Sequence, residues 1–271
     1  MAQGRGAVRL AGAVLVVAVV LSGCSSSSKS TTAATTTAPA KALSGSITVS
    51  AAASLTGTFG DLGTSFEKAH AGTTVHFNFG SSAALVTQIQ QGAPDDVFAS
   101  ASKATMDSLV TSGNITGDPV VFARNQLELV VKPGNPLGIT SLADLSKAKT
   151  VALCAETAPC GAAAKSAFAQ DDVTVPESEV TRGADVKATL AEVTTGDADV
   201  AVVYVTDAKT VTAAQGTAVS IPDAQNVIAV YEIGQVKGTT NADLAQAWIA
   251  YVTGPAGQAV LKAAGFLPPA A

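Results

Sequence analysis

The chain has 271 residues, 47% of them hydrophobic and 4% aromatic, and its formal net charge at pH 7 is −5. This length allows a substantial core in one large or two small domains. The acidic balance and the lack of a basic cluster in the sequence exclude nucleic acid as an expected partner, because nothing would neutralise its phosphates.

An export signal is predicted over residues 1–23. Arg5 and Arg9 precede an apolar run at residues 10–21, which is shorter than the ~20 residues of a membrane-spanning helix and leads into small residues. The mature chain is therefore expected to begin at Cys24. Loss of the two arginines would lower the net charge to −7, so an anionic ligand would have to be attracted by local dipoles rather than by the overall field.

Cys24 ends the tetrapeptide Leu21-Ser22-Gly23-Cys24, which resembles the lipobox of bacterial lipoproteins. The resemblance implies that this cysteine carries a lipid, which would anchor the chain to the cell membrane on its extracytoplasmic face. The alternative is an ordinary secretory signal with an incidental cysteine, although an unpaired cysteine in an exported protein then needs another explanation.

Residues 24–45 are dominated by serine, threonine and alanine. Such a segment has little apolar surface to bury, so packing cannot offset the entropy that ordering it would cost. It is predicted to be a flexible tether between the lipid and the folded part of the chain, and no binding site is expected there.

Short apolar runs alternate with amphipathic segments from Ser46 onward, a pattern typical of an α/β architecture. Three predicted strands are each followed by a predicted helix, and such units indicate a mostly parallel sheet. The strands cover residues 46–50, 73–79 and 96–100, and the helices run from Ser54 to before Gly72, over 81–90 and over 105–110.

A long extended stretch from Phe122 to Gly134 changes this rhythm and is predicted to cross into a second lobe. A second extended segment, at 227–233, would return the chain to the first lobe. The predicted first lobe comprises residues 46–123 and 231–271, the second comprises residues 124–230, and a ligand cleft lies between them. Further strands are predicted at 150–153, 199–204 and 217–221, and further helices from 161, at 184–195, at 241–253 and at 255–264.

Two turns lead from a predicted strand end into a predicted helix, and each carries a serine. Ser54 ends the run Ala51-Ala-Ala-Ser, and Ser82 ends the run Phe79-Gly-Ser-Ser, in which Gly80 would permit close backbone approach. Free N–H groups and the dipole at a helix N-terminus attract an anion, and each hydroxyl adds a donor. The alternative is that both serines are only helix caps.

These turns and four further motifs together resemble the molybdate-binding proteins of ABC transporters. The resemblance spans essentially the whole exported part, in the same order and spacing. It implies a two-lobed periplasmic-binding-protein-like fold of type II, whose lobes are joined by two extended crossovers and hold the ligand between them. The motifs are Ala51-Ala-Ala-Ser-Leu-Thr56, Phe79-Gly-Ser-Ser82, Gly92-Ala-Pro-Asp-Asp-Val-Phe98, residues 198–208 around Tyr204, Gly254-Pro255 and Gly265-Phe266.

The resemblance also implies which residues hold the oxyanion. Ser54 and Ser82 match serines that donate through both hydroxyl and backbone amide. Val186 matches a backbone-amide donor, and Tyr204 matches a phenol donor. A last amide donor falls near Cys160, but this loop departs from the commoner pattern of an alanine and no cysteines, so a neighbour of Cys160 is the alternative.

The function implied by the resemblance is the capture of molybdate or tungstate by a monomeric, cofactor-free binding protein that serves a membrane permease. Neutral donors suit a dianion, because each hydrogen bond to a charged group contributes about 1.5–3 kcal/mol. A rigid donor shell sized for a large oxyanion fits sulfate poorly, whereas a lysine or arginine attracts anions of any size. A cation in the cleft would therefore favour the alternative, a receptor for sulfate, thiosulfate or a phosphonate.

Cys154 and Cys160 lie six positions apart in a chain that is predicted to be exported, so a disulfide is expected between them. A secreted thiol/disulfide redox protein is the alternative, although the spacing is not that of a Cys-x-x-Cys motif. A metal site is disfavoured because His70 and His76 are distant from these cysteines in the sequence.

Three pairs of carboxylates could in principle support acid–base catalysis. Each pair lies at a predicted turn or strand entry, where aspartate is favoured by local hydrogen bonding. No nucleophile elbow, phosphate loop or zinc motif accompanies them in the sequence, so an enzyme is not expected. The pairs are Asp95/Asp96, Asp171/Asp172 and Asp197/Asp199.

Overall fold

Strands and helices alternate along residues 43–269, the part of the chain that the computed structural model describes. The predicted export signal, Cys24 and the predicted tether up to residue 42 lie outside the described residues. The strands are β1 (Gly45–Ala52), β2 (Thr73–Gly80), β3 (Val97–Ser100), β4 (Ile115–Val131), β5 (Val151–Cys154), β6 (Val180–Gly183), β7 (Val200–Tyr204), β8 (Thr217–Ser220) and β9 (Ile228–Val236). The α-helices are α1 (Thr56–Ala69), α2 (Ser82–Gln90), α3 (Lys103–Thr111), α4 (Pro159–Gln170), α5 (Val186–Thr194), α6 (Val205–Ala208), α7 (Ala242–Thr253) and α8 (Pro255–Ala264).

The folded part begins slightly before the predicted boundary at Ser46. Gly45 is the first residue of β1, and its backbone N–H donates to the carbonyl of Gly72 at 3.0 Å. Leu43 packs against the core formed by β1 and its neighbours. The tether was therefore predicted to end too late. The small residues before Ser46 offer no apolar pattern from which the start of the strand could be recognised.

The strands of each half of the molecule are parallel, as the alternation of strands and helices predicted. β1 is parallel to β2 and β3, and β5 is parallel to β6 and β7. The pairs β3–β9, β4–β9, β4–β7 and β4–β8 are antiparallel. The sheet is therefore parallel within each half but not across the two long strands, β4 and β9, that connect the halves.

β4 and β9 are the two extended crossovers that the sequence predicted. β4 pairs with β9 through residues 115–126 and with β7 and β8 through residues 127–131. β4 starts at Ile115, well before the predicted start at Phe122. The prediction missed this first part because Gly117-Asp-Pro, where the register shifts, interrupts the apolar pattern. The α/β fold with two lobes joined by two crossovers is confirmed.

A separate apolar core lies on each side of the crossovers. In the first, Trp248 meets Phe59 and Phe66 edge to face, with ring centroids 5.6 and 5.4 Å apart, and all three side chains are fully buried. We call the part around this core lobe 1. Aliphatic side chains of β4, β5 and β7 form the core of lobe 2, against which Ala53 of lobe 1 also packs.

Short elements with little apolar periodicity escaped prediction. β6 has the sequence Val-Thr-Arg-Gly, and the four-residue helix α6 follows β7 without an intervening loop. Neither offers the repeat of apolar residues from which a strand or helix is recognised. Within residues 43–269, no helix is both long and apolar enough to cross a membrane.

Candidate functional site

One small cavity between the lobes brings together the five residues predicted to hold a ligand. Its volume is about 210 Å³, including the part open to solvent. So small a space suits an inorganic ion rather than a drug-sized molecule. The lining residues are Ala52, Ala53, Ser54, Gly80, Ser81, Ser82, Ala101, Ala158, Pro159, Cys160, Asp185, Val186 and Tyr204.

Four helical segments begin at this cavity. The first is a 3₁₀ turn at Ala53–Leu55 that continues into α1, and the others are α2, α4 and α5. The first N–H groups of a helix have no partner inside the helix, and the helix dipole places partial positive charge at that end. Their convergence brings partial positive charge and free N–H groups to the cavity, which can attract an anion without help from a lysine or arginine.

Ser82, at the start of α2, is fully buried and accepts a hydrogen bond from the backbone. The N–H of Ala101 donates to Ser82 Oγ at 3.1 Å. Because an amide N–H can only donate, the proton of Ser82 remains for a further acceptor. Gly80 has an ordinary backbone conformation, and a Cβ there would meet only Leu85, at 3.7 Å, so the close approach inferred for Gly80 is not required by any neighbouring protein atom.

Ser54 lies inside the 3₁₀ turn and is also buried. Its Oγ lies 2.8 Å from the phenol oxygen of Tyr231, a fully buried residue on β9. Burial raises the pKa of Tyr231, so its phenol stays protonated. The interpretation of Ser54 and Ser82 as helix caps is wrong, since the cap positions are Ala52 and Ser81 and neither makes a side-chain capping bond.

The N-terminus of α5 lies at the cavity, and its first backbone N–H takes no part in the capping of the helix. The carboxylate of Asp185 caps this helix and accepts from the N–H groups of Lys187 and Ala188, at 2.9 and 3.0 Å. The N–H of Val186, the first residue of the helix, is the one that this cap does not take. The structure thus gives a physical reason for a donor that the sequence identified only through its family resemblance.

The loop before α4 contributes Ala158, Pro159 and Cys160 to the cavity wall. The N–H of Ala158 donates to Ala155 O at 2.9 Å, and proline has no N–H. Cys160 is therefore the residue of the three with a backbone donor to offer. The predicted disulfide between Cys154 and Cys160 is present, and it ties this loop to the end of β5.

Tyr204 ends β7 and reaches the cavity from lobe 2. Its side chain is 1% exposed, and its hydroxyl has no hydrogen-bond partner among the described residues. Burial raises the pKa of Tyr204 well above its ordinary value, and the nearby Tyr231 phenol and Asp207 carboxylate add to this effect. The phenol therefore remains a hydrogen-bond donor at physiological pH, and a buried donor without a partner is costly unless a ligand accepts its bond.

The cavity wall carries no cation among the described residues. Asp185 is the charged residue in the wall, and its carboxylate is already engaged by the amides of α5. Lys187 follows the donor Val186 in sequence, but its ammonium is paired with Asp207 at 2.8 Å. The lysine or arginine that would have favoured a receptor for anions of any size is therefore not part of this wall.

The three carboxylate pairs considered for acid–base catalysis lie away from the cavity wall, whereas Cys160 lines it. Asp96 accepts from the N–H of Thr48 at 2.7 Å, and Asp199 pairs with Lys132 at 2.7 Å. Cys154 and Cys160 are joined in a disulfide and are not free thiols. Among residues 43–269, no group of three or more His, Cys, Asp or Glu side chains is arranged to hold a metal ion.

Comparison with protein families matches residues 47–267 to a model described as bacterial extracellular solute-binding protein. The molybdate-binding protein ModA of Mycobacterium tuberculosis is 40% identical over 225 residues, which is 83% of this chain and 85% of that protein. The molybdate-binding protein ModA of Escherichia coli is 33% identical over 237 residues, 82% of this chain and 89% of that protein.

Solved structures share the fold at lower identity. The periplasmic molybdate-binding protein of Azotobacter vinelandii has a TM-score of 0.73 at 23% identity, with 83% of this chain and all of that chain covered. The sulfate-binding protein SubI of Mycobacterium tuberculosis has a TM-score of 0.75 at 20% identity, with 82% of this chain and 86% of that chain covered. At such identities the likeness concerns the fold and does not distinguish between the two ligands.

Proposed function

Because the chain belongs to the family of bacterial extracellular solute-binding proteins, we propose that it captures molybdate or tungstate outside the cytoplasm for an ABC permease. The observation that carries this proposal is the convergence of the five predicted donors on one cavity, whose wall holds no lysine or arginine from residues 43–269. The relatives named as molybdate-binding proteins support the choice of ligand.

In the proposed complex, five residues from both lobes hold the oxyanion. Ser54 and Ser82 donate from lobe 1 through their hydroxyls and backbone amides. The amides of Cys160 and Val186 and the phenol of Tyr204 donate from lobe 2. Each hydrogen bond to a charged group contributes about 1.5–3 kcal/mol, so a set of this size can offset the lost hydration of a dianion.

Selectivity would come from the size of the donor shell. Donors fixed on helix N-termini and a buried strand end cannot follow a smaller anion inward, so sulfate would leave stretched hydrogen bonds. Tungstate has nearly the same size and charge as molybdate and would bind similarly. We propose binding and delivery rather than catalysis for this site, since the carboxylate in its wall, that of Asp185, is engaged by the amides of α5.

We also propose how the chain is anchored at the membrane and where its two lobes begin and end. We propose that residues 1–23 are removed on export and that lipid on Cys24 anchors the protein, with the following segment as tether. The lobe limits proposed from the sequence lie within β4, at 123/124, and within β9, at 230/231. The core of lobe 2 extends from Leu127 to Ile221, apart from Ala53, which supports these limits.

Calorimetric titration of the purified protein tests the proposal. The protein is first dialysed to remove any ligand carried through purification, then titrated with molybdate, tungstate, sulfate and phosphate. We expect tight one-to-one binding of molybdate and tungstate and at least about 100-fold weaker binding of sulfate, corresponding to roughly 3 kcal/mol. Equal affinity for sulfate, or no binding of molybdate, would contradict the proposed function.

A further inference from the structure

A chain of buried polar groups leads from the strands that join the lobes to the ligand cavity. Asn125 lies on β4 and Tyr231 on β9, and both are fully buried. Asn125 Nδ2 lies 2.8 Å from Thr206 Oγ1 and 3.4 Å from the phenol oxygen of Tyr231. The same phenol oxygen lies 2.8 Å from Ser54 Oγ in the cavity wall.

The direction of these hydrogen bonds follows from the chemistry of the groups. The N–H of Gln126 donates to Asn125 Oδ1 at 3.0 Å, which fixes the opposite end of the amide as nitrogen. An amide nitrogen can only donate, so the Tyr231 oxygen accepts its bond. The Tyr204 phenol is also near enough to influence the pKa of Tyr231. Among the described residues, however, Ser54 Oγ is the acceptor at hydrogen-bond distance from the Tyr231 phenol.

The hydroxyl of Ser54 is left in a defined state by this arrangement. With Tyr231 as the donor, the Ser54 oxygen accepts, and the proton of Ser54 is then free to point into the cavity. Ser82 reaches the same state by a different route, since its oxygen accepts from the backbone N–H of Ala101. Both serines thus have an occupied oxygen and a free proton, which is the arrangement that an oxyanion requires of a hydroxyl.

We propose that Tyr231, oriented by Asn125, is a positioning residue that commits the hydroxyl proton of Ser54 to the bound oxyanion. This inference rests on the proposed function. A hydroxyl without a fixed direction must be turned toward the ligand when the ligand binds, whereas one already committed needs no such reorganisation. The phenol acts through Ser54 and does not itself line the cavity.

Asn125, Tyr231 and Ser54 form a relay of hydrogen bonds that connects both lobes. Asn125 and Tyr231 belong to the crossover strands. The other acceptor of Asn125 is Thr206. It lies in α6, the short helix of lobe 2 that follows Tyr204. Ser54 belongs to lobe 1. The direction of the Ser54 hydroxyl is therefore set by residues of the connecting strands, whereas that of Ser82 is set within lobe 1.

A double-mutant cycle with Tyr231→Phe and Ser54→Ala tests this inference. Titration with sodium molybdate gives the Kd of the wild type, of both single variants and of the double variant. We expect Tyr231→Phe to weaken binding about tenfold in the wild-type background and less than about twofold in the Ser54→Ala background. Tyr251→Phe is the matched control, since it removes the same hydroxyl from a partly buried residue of α7, and its Kd should equal that of the wild type.

The outcomes separate the inference from the proposed function. Tight molybdate binding by the wild type with the same Kd for Tyr231→Phe overturns the inference and leaves the function in place. An equal loss in both backgrounds also overturns it, because the phenol would then act by supporting the fold. A wild type that does not bind molybdate overturns the function and the inference together.

Asn125→Asp is a second variant that leaves Tyr231 in place. A carboxylate at this position accepts from the phenol of Tyr231, which then cannot donate to Ser54. We expect weaker binding of molybdate, with a part of the loss disappearing in the Ser54→Ala background. Repulsion between the new charge and the anion would act equally in both backgrounds, so an identical loss in the two would count against the relay.

Discussion

The ammonium of Lys187 lies 2.8 Å from the carboxylate of Asp207, which is fully buried. Burial raises the pKa of Asp207, and the positive charge of Lys187 opposes that rise. The pair places a neutralised cation next to the amide donor Val186. A site that depends on the geometry of neutral donors would lose selectivity if this lysine faced the ligand unpaired.

Replacing Lys187 by methionine should destabilise the protein in a pH-dependent way. The folded-state pKa of Asp207 lies above its unfolded value, so stability falls as pH rises from the unfolded pKa through the folded one. Without Lys187 the folded pKa rises further and this loss grows. We expect a cost of about 2 kcal/mol at pH 8, which is modest because water screens the partly exposed lysine. The cost should be smaller at pH 5, where Asp207 binds a proton more readily.

Urea unfolding of the wild type and Lys187→Met at both pH values measures this difference. Lys103→Met is the matched control, because Lys103 and Asp107 form an exposed pair of the i,i+4 type on α3. Removing that pair should change the free energy of unfolding by less than about 0.5 kcal/mol at either pH. A cost for Lys187→Met that does not vary with pH would show that Asp207 is not the group responsible.

Tyr204→Phe should weaken molybdate binding without lowering the stability of the ligand-free protein. The phenol oxygen of Tyr204 has no partner among the described residues, so the ligand-free fold loses no hydrogen bond. A lost bond to a charged ligand costs about 1.5–3 kcal/mol, which corresponds to a Kd at least about tenfold higher. Titration calorimetry and thermal unfolding without ligand measure the two quantities, and an unchanged Kd would remove Tyr204 from the site.

Replacing both Cys154 and Cys160 by serine should affect stability and binding together. In the chain-entropy model, closing so short a loop contributes about 2 kcal/mol. The same disulfide holds the loop that carries the Cys160 amide, so losing it should also raise the Kd for molybdate severalfold. Urea unfolding and calorimetry of the double variant test both points. Full affinity in a destabilised variant would show that the disulfide supports the fold but not the donor.

Cys24→Ser tests the proposed lipid anchor. When the full chain is produced in a bacterial host supplied with labelled palmitate, the wild type should incorporate label and partition with membranes. The serine variant has no thiol to modify and should do neither, whereas Ser25→Ala should behave as the wild type. Label in the Cys24→Ser variant would place the lipid elsewhere or show that the signal is of another kind.

The parts of the fold that could be predicted are those with a clear local pattern. The strands β1 and β7 carry apolar runs, and α7 repeats its buried residues Leu244 and Trp248 at helical spacing. β6 was missed because Val-Thr-Arg-Gly has no such pattern. The start of β4 was missed because Gly117-Asp-Pro interrupts the strand.

The candidate site could be predicted only in part, for a different physical reason. Ser54 and Ser82 are visible from turn chemistry, while Cys160, Val186 and Tyr204 came from the family resemblance. Tyr231 contacts Ser54 across 177 positions of the sequence. A tyrosine in an apolar strand gives no local sign of such a partner, because the contact exists only once the sheet is assembled.

The most direct test of the account is a crystal structure of the protein with molybdate, with anomalous scattering recorded at the molybdenum absorption edge. We expect one anomalous peak in the cavity, with oxyanion oxygens within hydrogen-bond distance of the Ser54, Ser82 and Tyr204 hydroxyls and of the Cys160 and Val186 amides. A peak at any other place, or an unoccupied cavity at saturating molybdate, would contradict it.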